Sequence, residues 1–283
     1  MDIGKLLLQG QAGERDVCDM SGDVAVIDGR GGARDINRLL SVAWMRRVAG
    51  REDRRVVRNG GDQTIGIVTG RNGHMPARRP SASLLLIHGA GSGPWIFEDW
   101  YRVLPQVAIH AIDLQENVNV EQAGMGDYAR AVVEAASRLP GRISLCGWSM
   151  GGLVALMASP LIHPHRLVLI EPSAPAEIQG VHPEVALDHG LFDPEAVYGR
   201  FPAGQPARPE SSLARSERKR GISVPAVSCP SLVVYGRDFP DERGRAVARL
   251  YGSDELHFPD LDHWGLVTDE RVPRAITDYL AHS

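Results

Sequence analysis

The feature that most constrains this chain is an apolar strand pattern that runs through a tight turn into a helix pattern, between Arg142 and Met157. The turn is Gly-Trp-Ser-Met-Gly, with Ser149 between Gly147 and Gly151. A serine held in such a strained turn leaves no room for side chains two positions before and after it. This arrangement is that of a nucleophile elbow, which exposes a serine hydroxyl above the edge of a sheet. The sequence therefore predicts that Ser149 is a nucleophile.

Apolar runs and helix-like segments alternate along the chain on both sides of this turn. The runs 84–87 and 166–170 are continuous, which is typical of parallel strands buried on both faces. Further strands are predicted at 107–112, 143–146, 231–235 and 256–258, and helices at 95–104, 126–139, 151–158, 241–251 and 271–281. The alternation predicts an α/β fold, a doubly wound and mostly parallel sheet with helices on both faces.

The pattern breaks at two places, which divide the chain. Residues 1–80 contain 14 Lys and Arg against 10 Asp and Glu, and only 36–48 looks helical and 64–68 strand-like. We expect a poorly ordered N-terminal extension there, with a basic arm for a partner as the alternative. Residues 81–283 are the predicted α/β domain. Within it, the proline-rich segment 172–230 predicts a cap or lid insertion over the site.

Composition excludes several classes of function. With 283 residues, 43% of them hydrophobic, the chain can bury a sizeable core. A net charge of −4 indicates neither nucleic acid nor a membrane as partner, and no apolar run is long enough to span a bilayer. Three widely spaced cysteines form neither a disulfide framework nor a metal cluster. We expect a cytoplasmic protein, and no pattern indicates its oligomeric state.

Chemistry-bearing residues follow the predicted strands, where sites form in open parallel sheets. A serine hydroxyl needs an imidazole to accept its proton, and His263 follows the last strand. The imidazole in turn needs a carboxylate, which Asp238 or Asp241 can supply. The backbone N–H groups of Ala90 and Met150 are positioned to form an oxyanion hole.

Four sequence pieces, in order, resemble the α/β-hydrolase family from about residue 83 to the C-terminus. They are Leu-Leu-Ile-His-Gly-Ala-Gly, Gly-Trp-Ser-Met-Gly-Gly, Val-Val-Tyr-Gly-Arg-Asp and Asp-His-Trp-Gly. The resemblance implies that Ser149 is the nucleophile, His263 the base, and Ala90 and Met150 the oxyanion donors. The run from His88 to Trp95 is also similar to the small esterase and hydroxynitrile-lyase branch of this family.

The acid departs from the family's pattern. The family commonly places it three residues after the glycine that follows the strand, where this chain has Phe239. We expect Asp238 to be the acid, then Asp241, then Glu171, which matches a rarer placement after the preceding strand. Asp241 has the alternative role of a helix N-cap, and Glu171 that of an ion-pair partner for the cap.

Three tryptophans, Trp95, Trp148 and Trp264, are candidates for an apolar substrate pocket, with a role in the core as the alternative. His163 and His165 lie close together but lack supporting ligands, so we expect no metal. We also expect no organic cofactor.

The sequence therefore predicts a serine hydrolase that cleaves small, apolar carboxylic esters through an acyl-enzyme. One alternative is a lyase that uses the same Ser-His-acid groups on a cyanohydrin-like substrate. The other is a non-catalytic small-molecule receptor on the same scaffold.

Overall fold

The computed structural model describes residues 82–202 and 206–281, and the backbone of four short strands within residues 1–81. The chain divides into two compact units, Met1–Arg78 and Arg79–Ser283. The first unit contains an antiparallel sheet of order β1-β2-β4-β3. Its strands are β1 (Cys18–Asp19), β2 (Val26–Ile27), β3 (Arg54–Arg58) and β4 (Ile65–Thr69). The helix predicted at 36–48 lies outside the described residues, and poor order of the extension stays a prediction.

The second unit is built on a six-stranded sheet in which every pairing is parallel. The strands are β5 (Ala82–Ile87), β6 (Ala108–Ile112), β7 (Arg142–Trp148), β8 (Arg166–Ile170), β11 (Ser231–Tyr235) and β12 (Asp254–His257). Their order across the sheet is β12-β11-β8-β7-β5-β6. The chain therefore reverses its direction of winding between β5 and β7, and ligands bind at such a switch point in open α/β sheets.

Helices cover both faces of this sheet, which confirms the doubly wound fold. They are α1 (Glu98–Val103), α2 (Met125–Ser137), α3 (Met150–Ile162), α4 (Ala176–Gln179), α5 (Pro194–Tyr198), α6 (Ser212–Arg220), α7 (Ala246–Tyr251), α8 (Gly265–Thr268) and α9 (Arg271–Ala281). One core cluster joins Tyr128 of α2 and Leu153 of α3 to the sheet. A second, on the opposite face, contains Trp100 of α1 and Ile276 of α9. Because β8 and β11 lie between these clusters, all their residues are buried.

Two predicted helices begin later than their apolar spacing suggested. A 3₁₀ turn, Pro94–Phe97, precedes α1, and a π-helical segment, Pro240–Arg245, precedes α7. In the π-helical segment the backbone of Gly244 passes so close to the Tyr235 ring that a Cβ atom would lie 2.5 Å from it. Tertiary packing thus changes the hydrogen-bonding register of these helix starts, which periodicity alone does not predict.

The predicted insertion lies between β8 and β11. It contains α4, α5, α6 and a two-stranded antiparallel ribbon of β9 (Leu191–Phe192) and β10 (Glu210–Ser211). We refer to residues 172–230 as the cap, and its movement as a lid stays a prediction. None of the helices in the described part of the chain has the length and apolarity needed to cross a membrane.

Candidate active site

Ser149 lies in a strained turn between β7 and α3, with φ 55° and ψ −120°. The residues two positions before and after Ser149 need to be glycine, because backbone atoms pass close to both of them. A Cβ atom on Gly147 would lie 2.3 Å from the Gly151 carbonyl oxygen, and one on Gly151 would lie 2.3 Å from the Ile87 carbonyl oxygen. The Ser149 N–H donates to the Ile170 carbonyl (2.9 Å), which ties the turn to the end of β8. The strained, glycine-flanked turn expected from the sequence is therefore present.

The loop after β5 is packed directly against this turn. A Cβ atom on Gly89 would lie 3.0 Å from the Ser149 Cβ atom. His88 is fully buried, and its Nε2 accepts the Leu114 N–H (3.0 Å) while its Nδ1 lies 2.8 Å from the Gly89 carbonyl oxygen. Since Nε2 is an acceptor, Nδ1 carries the proton and donates to Gly89. His88 thus holds the backbone of this loop in place.

Two backbone N–H groups beside Ser149 are available to a ligand. Met150 is the first residue of α3, so its N–H has no acceptor within the helix. The Ala90 N–H donates no hydrogen bond to any residue that the structure describes. Ala90 follows β5 and Met150 follows β7, and these two strands are paired. The arrangement is suited to bind a negative charge that develops next to the Ser149 hydroxyl.

The His263 imidazole packs on the ring of Trp148, the residue before Ser149. Their ring centroids are 4.9 Å apart, and the Trp148 indole N–H donates to the His263 carbonyl (3.1 Å). The imidazole Nδ1 lies 2.6 Å from the Glu171 Oε2 atom. Glu171 is fully buried, and its Oε1 accepts the Gly236 N–H (2.7 Å). Both oxygens of this carboxylate are thus engaged, one of them by the imidazole.

This contact corrects the expected order of the three acid candidates, which placed Asp238 first. The Asp238 carboxylate accepts the backbone N–H of His263 (2.9 Å), not the imidazole. Asp241 is exposed and pairs with Arg245 (2.8 Å), one helical turn further along the chain. Glu171 reaches the imidazole because β8 lies beside β7 and the residue has a left-handed backbone, with φ 36°. The signal in the sequence was a carboxylate directly after β8 combined with Phe239 at the usual acid position.

Two of the three candidate tryptophans lie at the imidazole. The Trp264 ring packs on Trp148 (4.9 Å between centroids) and on Phe201 of the cap (4.6 Å). Trp95 lies instead beside the loop after β5, residues 88–93, which we call the oxyanion loop after the role predicted for Ala90. The Arg208 guanidinium covers the Trp95 ring there at 4.7 Å. Trp148, Trp264 and Phe201 therefore form an apolar wall beside His263, and Phe201 was not identified from the sequence.

Sequence analysis also missed Arg208, an arginine of the cap that holds the oxyanion loop. Its guanidinium binds both carboxylate oxygens of Asp113 (2.8 and 2.9 Å) and the Ser92 carbonyl (2.7 and 3.1 Å). Burial by itself raises the pKa of Asp113, but the hydrogen bonds from Arg208 and the Gln115 N–H, together with the Arg208 charge, hold that pKa well below its usual range. Nothing in the sequence distinguishes Arg208 from the other arginines of the cap.

Glu210 forms a second link between the cap and the same loop. It is fully buried, and its Oε2 accepts the Gly91 N–H (3.1 Å) while its Oε1 accepts the Tyr128 hydroxyl (2.5 Å). Burial, reinforced by the Glu210 carboxylate, raises the pKa of Tyr128 well above its usual range. A charged residue buried in a polar cap segment has no periodic signal, so this link was also missed.

His163 and His165, the two histidines considered as metal ligands, lie far from Ser149 and His263. His163 ends α3 and His165 donates its N–H to the Ile143 carbonyl, at the end of the sheet where β7 begins. Over the described ranges, no three side chains of the His, Cys, Asp or Glu type are grouped as a metal ion requires.

Solved structures share this fold at low sequence identity. A lipase-esterase related protein from Clostridium acetobutylicum is 16% identical, with a TM-score of 0.53, over 71% of this chain and 95% of that one. A pyrethroid hydrolase from Sphingobium faniae JZ-2 is 18% identical, with a TM-score of 0.53, over 71% of this chain and 98% of its own. At such identities the likeness establishes the fold alone.

Curated relatives match a shorter part of the chain. The pimeloyl-[acyl-carrier protein] methyl ester esterase of Aeromonas hydrophila is 37% identical over 90 residues, and that of Shewanella sp. (strain MR-7) is 30% identical over 86 residues. These matches cover 30% of this chain in both cases, and they span about a third of each relative's length, 34% and 32%. The model of the Alpha/beta hydrolase family, in contrast, matches residues 84–281, which is well over half of the sequence. On this match, and with the parallel sheet and elbow already described, the chain belongs to the alpha/beta hydrolase family.

Proposed function

We propose that this protein is a serine hydrolase of carboxylic esters, with Ser149 as nucleophile, His263 as general base and Glu171 as the acid. The observation that carries this proposal is the 2.6 Å contact between His263 Nδ1 and Glu171 Oε2, next to the strained turn at Ser149. Esterase is also the activity in the names of the curated relatives. The contact supports Glu171 as the acid in place of Asp238.

In the first half of the reaction, the Ser149 hydroxyl attacks the ester carbonyl carbon while His263 Nε2 accepts its proton. The buried Glu171 carboxylate holds Nδ1 protonated and stabilises the imidazolium that forms. The N–H groups of Ala90 and Met150 stabilise the charge on the carbonyl oxygen. The C–O bond to the alcohol then breaks, and His263 returns the proton to the departing oxygen.

In the second half, water attacks the carbonyl carbon of the acyl-enzyme. His263 accepts a proton from this water, and the bond between the acyl carbon and the Ser149 oxygen breaks. The proton returns to Ser149, so the enzyme is regenerated and a carboxylic acid is released. Apart from the ester and this water, both half-reactions use only groups of this chain.

The apolar wall of Trp148, Trp264 and Phe201 supports a small ester with an apolar portion as the substrate. This wall lies directly beside the imidazole, because Trp148 contacts His263. Aromatic walls of this kind bind alkyl or aryl groups by excluding water from both surfaces.

The experiment is fluorophosphonate labelling followed by peptide mapping, together with hydrolysis of p-nitrophenyl butyrate. We expect labelling at Ser149 alone, and loss of at least about 1,000-fold in kcat for Ser149→Ala and His263→Ala. Ser137→Ala, an exposed serine in α2, is the matched control and should retain full activity. Full activity of Ser149→Ala would overturn the mechanism.

The same variants separate esterase activity from the two alternatives. A burst of p-nitrophenol equal to the enzyme concentration indicates an acyl-enzyme and therefore a hydrolase. Turnover of a cyanohydrin without any ester hydrolysis would indicate the lyase instead. Stabilisation by a ligand without turnover of any ester would indicate a receptor.

A further inference from the structure

Two arginines near the candidate active site contact residues that in turn touch the nucleophile and the imidazole. Arg218, in the last turn of α6, donates to the Tyr198 hydroxyl (3.2 Å) and lies 3.5 Å from the Ser173 hydroxyl. The Ser173 N–H in turn donates to the carbonyl of Ser149 (2.8 Å). The guanidinium of Arg218 is therefore separated from the backbone of the nucleophile by a single residue.

Arg243 approaches the same place from the segment after β11. Its guanidinium carbon lies 4.0 Å from the centroid of the Phe239 ring, and this ring packs edge-on against the His263 imidazole at 5.8 Å. Burial lowers the pKa of Arg243, and the neighbouring Arg218 adds to this lowering, while the Glu171 carboxylate acts in the opposite direction. An arginine stays charged at neutral pH in spite of such shifts. Each guanidinium is thus one residue away from the proposed nucleophile or base, Arg218 through Ser173 and Arg243 through Phe239.

Neither of these arginines forms an ion pair with any residue that the structure describes. Arg208, by contrast, is paired with Asp113. Two carboxylates act on the charge of Arg243: Glu171 is already held by His263 and by the Gly236 N–H, and Glu242 is exposed. Removing a charge from water without an ion-pair partner is unfavourable in free energy. A carboxylate is a good partner for a guanidinium, because it can accept two parallel hydrogen bonds from it. Both guanidinium groups are therefore able to pair with an anion that a substrate supplies.

Two aromatic rings of the cap, Tyr198 and Phe192, lie next to arginine side chains. Tyr198, the hydrogen-bond partner of Arg218, packs on Phe192 (5.9 Å), and the Arg215 guanidinium covers the Phe192 ring at 5.3 Å. Arg218, Tyr198, Phe192 and Arg215 thus form a row in which each side chain contacts the next. Such a surface binds a ligand that combines a hydrocarbon segment with an anionic end.

We propose that the ester substrate has an acyl chain that ends in a carboxylate, which Arg218 and Arg243 bind while the ester carbonyl lies at Ser149. The substrate class is thus a monoester of a dicarboxylic acid. This inference rests on the proposed esterase function. Hydrolysis replaces the C–O bond to the alcohol with a bond to a water oxygen, and the terminal carboxylate takes no part in bond breaking.

The test compares esters of equal chain length with and without the carboxylate. Monomethyl glutarate, adipate and suberate are paired with methyl pentanoate, hexanoate and octanoate, and release of methanol gives kcat/KM. We expect the carboxylate ester to be preferred by roughly 10- to 100-fold for at least one length. In Arg218→Gln and Arg243→Gln this ratio should fall toward one. Arg249→Gln, an exposed arginine of α7, is the matched control and should keep the wild-type ratio.

A second measurement does not depend on the stability of these variants. Adipate should inhibit hydrolysis of methyl hexanoate by the wild-type protein competitively, and hexanoate at the same concentration should inhibit it less. A wild-type protein without preference for any carboxylate ester, or without inhibition by adipate, overturns the inference. The inference is also overturned if both arginine variants keep the preference for carboxylate esters and differ from the wild-type protein only in a lower melting temperature.

The outcomes also separate this inference from the function on which it rests. If Ser149→Ala hydrolyses methyl hexanoate at the wild-type rate, the esterase mechanism fails. If that hydrolysis depends on Ser149 but the carboxylate esters are not preferred, only the assignment of Arg218 and Arg243 fails.

Discussion

The Glu171 Oε2 atom lies 2.6 Å from the His263 Nδ1 atom, so the carboxylate at the imidazole comes from the end of β8 and not from the loop after β11. The adjacent strand β7 leads to Ser149, whose N–H donates to the Ile170 carbonyl (2.9 Å). Glu171 and Ser149 are thus joined through one hydrogen bond and one peptide unit. The proposed acid and nucleophile are positioned by the two central strands of the sheet.

Replacement of Glu171 by glutamine should abolish most activity, because the amide cannot stabilise an imidazolium. We expect Glu171→Gln to lower kcat for p-nitrophenyl butyrate by about 1,000- to 10,000-fold, the loss seen when the aspartate of a Ser-His-Asp triad is replaced by its amide. Asp238→Asn is the matched comparison, since Asp238 accepts the backbone N–H of His263 and pairs with Arg237 (3.8 Å) instead of binding the imidazole. The Asp238→Asn variant should lower kcat less than about tenfold. A larger loss in Asp238→Asn than in Glu171→Gln would contradict the assignment of the acid.

Arg208 should act as a positioning residue for the oxyanion loop, because it binds the Ser92 carbonyl and Asp113 at once. We expect Arg208→Gln to lower kcat about tenfold, with a smaller change in KM, since the loop donors lose their alignment for the transition state. Arg102→Gln, at an exposed arginine of α1, is the control. Steady-state kinetics check both variants. An unchanged kcat in a folded Arg208→Gln protein would show that Arg208 does not position the oxyanion loop for catalysis.

The ion pair of Asp113 should make stability depend on pH in acid. The folded-state pKa of Asp113 lies below its unfolded value, so the stabilisation is complete above about pH 4 and is lost as the pH falls through the folded-state pKa. Asp113→Asn should therefore lower the free energy of unfolding by about 1–3 kcal/mol at pH 7. Urea denaturation at pH 7, 5 and 3 should show this difference shrink only in the most acidic sample. A constant difference would exclude an ionised Asp113 as its origin.

The glycines of the elbow should tolerate no side chain, in contrast to a glycine elsewhere in a helix. A Cβ atom on Gly151 would lie 2.3 Å from the Ile87 carbonyl oxygen, whereas one on Gly126 would meet no atom within 4 Å. We expect Gly151→Ala to lower the free energy of unfolding by about 1–3 kcal/mol or more. Gly126→Ala in α2 should raise it by up to about 1 kcal/mol. Thermal denaturation of both variants checks the contrast, and equal losses would contradict it.

The sequence by itself determined the fold class and the nucleophile turn. Apolar runs such as 166–170 are continuous because both faces of β8 are covered, and this local pattern needs no knowledge of neighbouring strands. The elbow was readable because steric exclusion at the positions two residues before and after Ser149 leaves only glycine there. Family resemblance added His263, whose imidazole the structure places against the Trp148 ring.

Only the tertiary structure decided which carboxylate meets His263 and how the cap holds the oxyanion loop. Three acids follow β8 and β11, and their separation along the chain does not reveal that Glu171 points to the imidazole while Asp238 binds a backbone N–H. Arg208 and Glu210 act on residues more than 90 positions away in the sequence. Local periodicity reflects burial and backbone sterics within a few residues, whereas these contacts depend on where distant loops converge. The physical reason is that strand order and loop packing, not the sequence near each residue, set the distances between side chains at the site.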